Sequence, residues 1–168
     1  MITQDWVRLM AAYNAEMNRR IYAAADRLPP ARRAEDRGAF FGSVQGTLSH
    51  LLWGDRFWMH RFDGWEKPPG GIAGSPMLHP EWEALKRGRV ETDAGIEAWA
   101  SRVDPARLAG SLSWFSAAMG REVTRPIAIL VTHFFNHQTH HRGQVHALLT
   151  GFGEKTGDTD LPFVLPLD

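Results

Sequence analysis

The chain has 168 residues, 43% hydrophobic and 23% charged, with 19 basic and 19 acidic side chains and no net charge. This is enough for one domain with a real core, spanning residues 1–168, and the charge balance does not suggest steering toward nucleic acid or an acidic partner. No apolar run approaches the roughly 18 residues of a membrane span, the opening MITQDWVRLM has no basic and apolar leader, and the lack of cysteine excludes disulfides, thiolate ligands and a cysteine nucleophile, so the default expectation is a cytoplasmic protein.

Residues 3 to 27 read as the first helix, because Trp6, Met10, Tyr13, Met17, Ile21 and Ala24 recur at steps of three or four. Pro29 and Pro30 end it. After a loop rich in Arg, Asp and Gly, residues 43 to 62 read as a second helix. It is apolar on more than one side, with Leu48, Leu52 and Met59 on one and Leu51, Phe57 and Trp58 on others, which predicts burial among its neighbours. Residues 63 to 80, around KPPGGIAGSP, read as a loop of the kind that moves.

A third helical region covers 81 to 103, with Trp82, Leu85, Ile96, Trp99 and Val103 on its apolar side and a break expected near Gly88. In SLSWFSAAMGREVTRP the period changes. Leu112, Trp114 and Val123 around Gly120 predict a short hairpin. Pro126 fits the first turn of the last long helix, which runs to about Leu149 and is stopped by Gly151 and Gly153. The tail beyond is expected to be extended or irregular. Four helical regions predict an all-α four-helix bundle with a short hairpin or irregular insertion before the last helix. The long second connection means that the topology need not be simple up-and-down. Seven tryptophans are many for this length and are expected in a core, a pocket or a subunit interface.

Five of the eight histidines fall in HFFNHQTHHRGQVH, His133 to His146. On a helical wheel with His137 at zero, Leu130 and Leu148 lie at about +20°, His141 at about +40° and Phe134 at about +60°. His137 and His141 therefore share the apolar stripe, one turn apart, where two imidazoles can grip one transition metal. Unpaired imidazoles there cost desolvation, which a metal or a full set of hydrogen bonds must offset. His133/His137 has the same spacing but is centred further from the core side. His133 and His140 fall on the margin, Gln144 at about −20°, and His146 near 180°, facing solvent.

On the second helix His50 shares a face with Gly46 and Gly54, which leave unusual room around its ring. A mid-helix glycine costs about 1 kcal/mol relative to alanine, so two of them call for a reason: a metal pocket or close helix packing. His60 is a weaker candidate, and His79 in the loop is expected to be exposed. Read separately, His50 is a satisfied core histidine and His137/His141 a hydrogen-bonded pair. Read together, the three favour a metal. Asp55 points away from His50 on the wheel and is expected to pair with an Arg or to orient a neighbouring histidine. Gln144 and Asn18 have the chemistry to position a ligand, and Arg142 is expected to face outward or form a salt bridge.

TLSHLLWGDRFW (47–58) and NHQTHHRGQ within VTHFFNHQTHHRGQVHALL (131–149) resemble the DinB-like family. Asn14, Asn18-Arg19 and the SWFSAAMGREVTRP segment extend the resemblance over nearly the whole chain. The resemblance implies a four-helix bundle, a divalent metal on His50, His137 and His141, and often a homodimer through helix faces. It does not fix an activity: some relatives are transferases or isomerases that use a low-molecular-weight thiol. Zinc is the expected metal, with nickel, iron and manganese as alternatives. The expected function is a metal-dependent transferase or hydrolase of a small molecule, set against a non-catalytic metal-binding or interaction module.

Overall fold

The computed structural model describes residues 1–116 and 119–165. Ala117 and Ala118, inside the expected hairpin, and the last three residues of the tail lie outside the described residues. The elements run α1 (Gln4–Asp26), α2 (Pro30–Ala34), α3 (Val44–Asp63), a 3₁₀ turn (Ile72–Met77), α4 (Trp82–Arg102), α5 (Pro105–Ala109), β1 (Ser111–Ser116), β2 (Arg121–Pro126), α6 (Ile127–Gly151) and α7 (Leu161–Val164).

The long helices begin and end where local chemistry satisfies their free backbone groups. The Thr3 hydroxyl accepts from the Trp6 N–H, and the Ser43 hydroxyl accepts from the Gly46 N–H. Gly64 closes α3 at φ +70°, a left-handed conformation that a side chain would strain. β1 and β2 pair antiparallel, Trp114 opposite Val123, as the change of period predicts. Two expectations give way. α4 runs unbroken through Gly88, because that glycine is a packing point: a Cβ there would lie 3.0 Å from the Leu52 side chain and 3.3 Å from that of Arg56. The tail is not wholly irregular, since Leu161–Val164 forms the short helix α7.

α1 packs against α4 and α6, and α3 packs against the same two, so the four long helices close into a ring. Their apolar faces form two separate clusters. One gathers Ile21, Leu28, Leu48, Leu52, Leu85, Val145 and Leu149. The other gathers Val7, Met59, Ile96, Trp99, Val131, Phe134 and Phe135. Between them, at the same level on every helix, lies a buried polar layer of Asn14, Asn18, Asp55, Arg89, Asp93, Gln138 and Arg142. Arg89 reaches Asp55 at 2.6 Å and Asp93 at 2.7 Å. Asn18 donates to Asp93 at 2.9 Å and Gln138 to Asp55 at 3.0 Å. Arg142 donates to Asn14. Two guanidinium and two carboxylate groups balance to zero, as such burial requires.

Arg142 therefore departs from its expected outward position or salt bridge. It is buried, and among the described residues its hydrogen bonds go to Asn14 and Thr139, with the Tyr13 ring beside it. Asn18 is likewise committed to the layer, through Asp93, rather than to the histidines.

Candidate metal centre

The three histidines singled out on two helices come together. His50 on α3 and His137 and His141 on α6 each offer a ring nitrogen, all within 4.8 Å of one another. Ring centroids are 5.2 Å apart for His50 and His137, 4.8 Å for His50 and His141, and 4.5 Å for His137 and His141. His50 and His141 are buried and His137 half-buried. The cluster stands at the level of the polar layer: Gly54 precedes Asp55 on α3, and His137 precedes Gln138 on α6.

Hydrogen bonds fix which nitrogen is bare. The Ser75 hydroxyl donates to the Ile72 carbonyl at 2.7 Å, so toward His50 Nδ1, 2.8 Å away, it can only accept. His50 therefore carries its proton on Nδ1 and turns a bare Nε2 to the cluster. His141 Nδ1 lies 2.8 Å from Gln144 Oε1, while Gln144 Nε2 lies 3.3 Å from His140 Nε2. An amide oxygen only accepts, so His141 is also protonated on Nδ1. Such partners at the far nitrogen are what orient imidazoles around a metal. His137 has no such partner: its Nδ1 is buried and unpaired. Packing holds it instead, for a Cβ on Gly54 would come within 3.1 Å of its Cε1.

The arrangement fits a first-row divalent ion. His50 Nε2 and His137 Nε2 are 3.2 Å apart. Two metal–nitrogen bonds of about 2.0–2.1 Å at a tetrahedral angle place their nitrogens about 3.3 Å apart. Burial, with His141 and His137 close by, pushes His50 down to about 3, and burial pushes His137 down to about 4. Burial also lowers His141. All three imidazoles are thus neutral at pH 7, the form that ligates.

The two glycines flanking His50 do not leave empty room. Gly46 admits the Phe41 carbonyl, which would lie 2.6 Å from a Cβ, and this close approach lays the Phe41 ring over His50 at a 3.8 Å centroid distance. Gly54 admits His137. The loop at 63–80 reaches the cluster through fully buried Ser75, a contact that no periodicity in the loop announces. Asp55 pairs with Arg89, as expected, and Gln144 is at the cluster on its expected face. His133 and His140 are exposed, on the margin. His60 bonds the Trp65 carbonyl at 2.7 Å, away from the cluster. His79 departs from expectation: it is half-buried, on the wall of a 560 Å³ cavity with Trp53, Arg56 and Trp65. His146 also departs, being half-buried and bonded to Thr156 at 2.8 Å.

Among the described residues no helix is long and apolar enough to cross a membrane. No curated protein matches the chain. Among solved structures, a DinB-like protein from Bacillus cereus is similar, with a TM-score of 0.64 at 16% identity over 89% of this chain and 94% of that one. At that identity the likeness establishes the helical fold. The profile of the DinB family matches residues 1–167, so the chain belongs to the DinB family.

Proposed function

We propose that the chain is a divalent-metal-binding protein, with His50, His137 and His141 as ligands, that serves as a thiol-using transferase or a hydrolase of a small molecule. The observation that carries the reading is the convergence of three neutral imidazoles, two of them oriented through Nδ1 by Ser75 and Gln144. A zinc ion, or nickel, iron or manganese in its place, held by neutral ligands keeps its full charge and supplies Lewis-acid chemistry at an open position.

The residues around the cluster favour transfer over hydrolysis. The cluster comprises histidines only, and Asp55 is committed to Arg89 and Gln138. Among the described residues no carboxylate is thus poised there as a general base. A thiol ionises near about 8.5 and needs little help, whereas water at about 15.7 needs much more. The chain has no cysteine, so the thiol would come from a low-molecular-weight partner. The lack of a base equally favours the second reading, a non-catalytic metal-binding module.

Metal content of the purified chain, measured beside His50→Ala and His141→Ala, tests the reading. Near-stoichiometric metal in the parent, lost in both variants while both stay folded, is expected, and thiol transfer and ester hydrolysis are then assayed on the loaded protein. A chain that retains no metal after expression and refolding with divalent ions defeats the proposal.

A further inference from the structure

The buried and half-buried arginines of this fold mostly have oxygen partners. Arg89 has Asp55 and Asp93, Arg33 has two carbonyls, Arg56 has Thr92 and the Gly88 carbonyl, and Arg142 has Asn14 and Thr139. Arg61 differs. It is half-buried, yet among the described residues no acceptor or carboxylate pairs with it. Its guanidinium lies instead over three aromatic rings, 4.1 Å from the centre of Phe57, 5.1 Å from Trp58 and 5.2 Å from Trp114. Burial lowers its pKa, so the site is partly dehydrated and the charge incompletely compensated.

Two aromatic rows join this guanidinium to the histidine cluster. Along α3, Trp53 lies 6.0 Å from His50, Phe57 stacks on Trp53 at 5.0 Å, and Arg61 caps Phe57. Residues 53, 57 and 61 repeat every four, so they share one face of the helix. The second row starts on α6, where His133 lies 5.8 Å from His137, and crosses to α3, where Trp58 meets His133 at 5.4 Å and also meets Arg61. Trp114 of the hairpin closes the far end. The helix rise from His50 to Arg61 is about 16 Å, and from Gly54 about 10 Å.

We infer that Arg61 is the carboxylate-binding residue of the proposed site, and that its substrate carries a carboxylate separated from the reacting group by an apolar segment of about 10–16 Å lying along the second row, over half-buried Trp58 and exposed His133, because Trp53 in the first row is buried. A planar fork with a single positive charge suits a carboxylate, which it can hold through two parallel bonds. The inference rests on the metal reading above, which supplies the other end of the substrate.

The probes are ω-mercaptocarboxylates of increasing chain length, and ω-mercaptoalcohols of the same lengths, titrated into cobalt(II)-loaded protein and followed by thiolate-to-cobalt absorption. At lengths that span the rows, the carboxylate is expected to bind at least about tenfold tighter than the alcohol, and mercaptoacetate to show no such preference. Arg61→Met, which keeps the apolar stem, abolishes the preference but leaves cobalt uptake and alcohol binding unchanged, and Arg61→Lys retains part of it. Equal binding of acid and alcohol at every length, or a preference that survives in Arg61→Met, overturns the role of Arg61 while leaving the metal reading intact. A protein that takes up no cobalt overturns both, and one that takes up cobalt but whose spectrum no thiol changes overturns the role of Arg61 and the thiol-using form of the reading, leaving the metal site.

Discussion

Gly54→Ala separates a glycine kept for helix packing from one kept for a metal ligand. Alanine in a helix interior is favoured over glycine by about 1 kcal/mol, so the backbone alone predicts a more stable protein. The added Cβ would stand 3.1 Å from His137 Cε1 and 3.8 Å from Nδ1. Ordinary contact needs a few tenths of an ångström more, and the imidazole, with no hydrogen bond at Nδ1 to hold it, is the group that yields. A shift of that size leaves the fold intact but exceeds the roughly 0.2 Å tolerance of a metal–nitrogen bond. The expected result is a urea midpoint equal to or above that of the parent, with affinity for zinc lowered at least about tenfold, or about 1.4 kcal/mol. Chelator competition gives the affinity, and denaturant unfolding of the metal-free protein gives the stability. Parent-like zinc affinity in a folded Gly54→Ala protein would refute the reasoning, because His137 would then be either insensitive to its packing or not a ligand.

Ser75→Ala and Gln144→Ala each remove the acceptor that keeps a histidine protonated on Nδ1. Each should lower zinc affinity about 10–100-fold in the same chelator assay, with circular dichroism unchanged. Asp55→Ala leaves buried Arg89 with one carboxylate fewer and Gln138 without its acceptor, and should cost about 3–5 kcal/mol in urea unfolding; removing Glu16, whose partners Arg19 and Arg20 are surface groups, should cost less than about 1 kcal/mol. For pH, His50 and His137 titrate at about 3 and about 4 in the fold but near about 6.5 when unfolded. Between those limits the unfolded chain binds more protons, so the stability they contribute is present above about 6.5 and is lost as pH falls. Asp93, raised by burial to about 6, opposes with one proton against their two. The urea midpoint of the metal-free protein should therefore fall from pH 7 to pH 5, and an unchanged or rising midpoint would count against neutral, buried imidazoles.

The four long helices were legible because each carries a run of apolar side chains at helical spacing between identifiable start and stop residues; Ser43 and Gly64 bracket α3 within two residues of its expected limits. The histidine cluster was legible from a single wheel on α6 and the glycines around His50. The same wheel misled for His146, and Arg142 was likewise expected to face outward or form a salt bridge. Both lie opposite the cluster, and a wheel on one helix treats the side away from its apolar stripe as solvent. α6 is packed on two sides, against α3 and α1, so the opposite side meets Asn14 for Arg142, while His146 meets Thr156 of the tail. Ser75 was beyond reach for another reason: it comes from a loop whose path is set by the Ser49 hydroxyl donating to its carbonyl at 2.7 Å, a contact 26 residues away in sequence.

The polar layer explains why the cluster sits where it does. Consecutive residues on α3 and α6 divide their work: Gly54 and His137 face the cluster, while their neighbours Asp55 and Gln138 join inside the ring of helices. An apolar contact between these helices can repack by sliding, but a buried carboxylate bonded to both Arg89 and Gln138 has one satisfactory alignment, since any slip strands a charge. The alignment that satisfies Asp55 is the same one that brings His50 Nε2 within 3.2 Å of His137 Nε2. His137, the one member of the cluster with an unpaired Nδ1, depends most on this registration and on the absence of a side chain at Gly54. Perturbing the layer should therefore reach the metal-binding chemistry through His137 first, whereas perturbing Ser75 or Gln144 should reach it through His50 or His141 without disturbing the helix register.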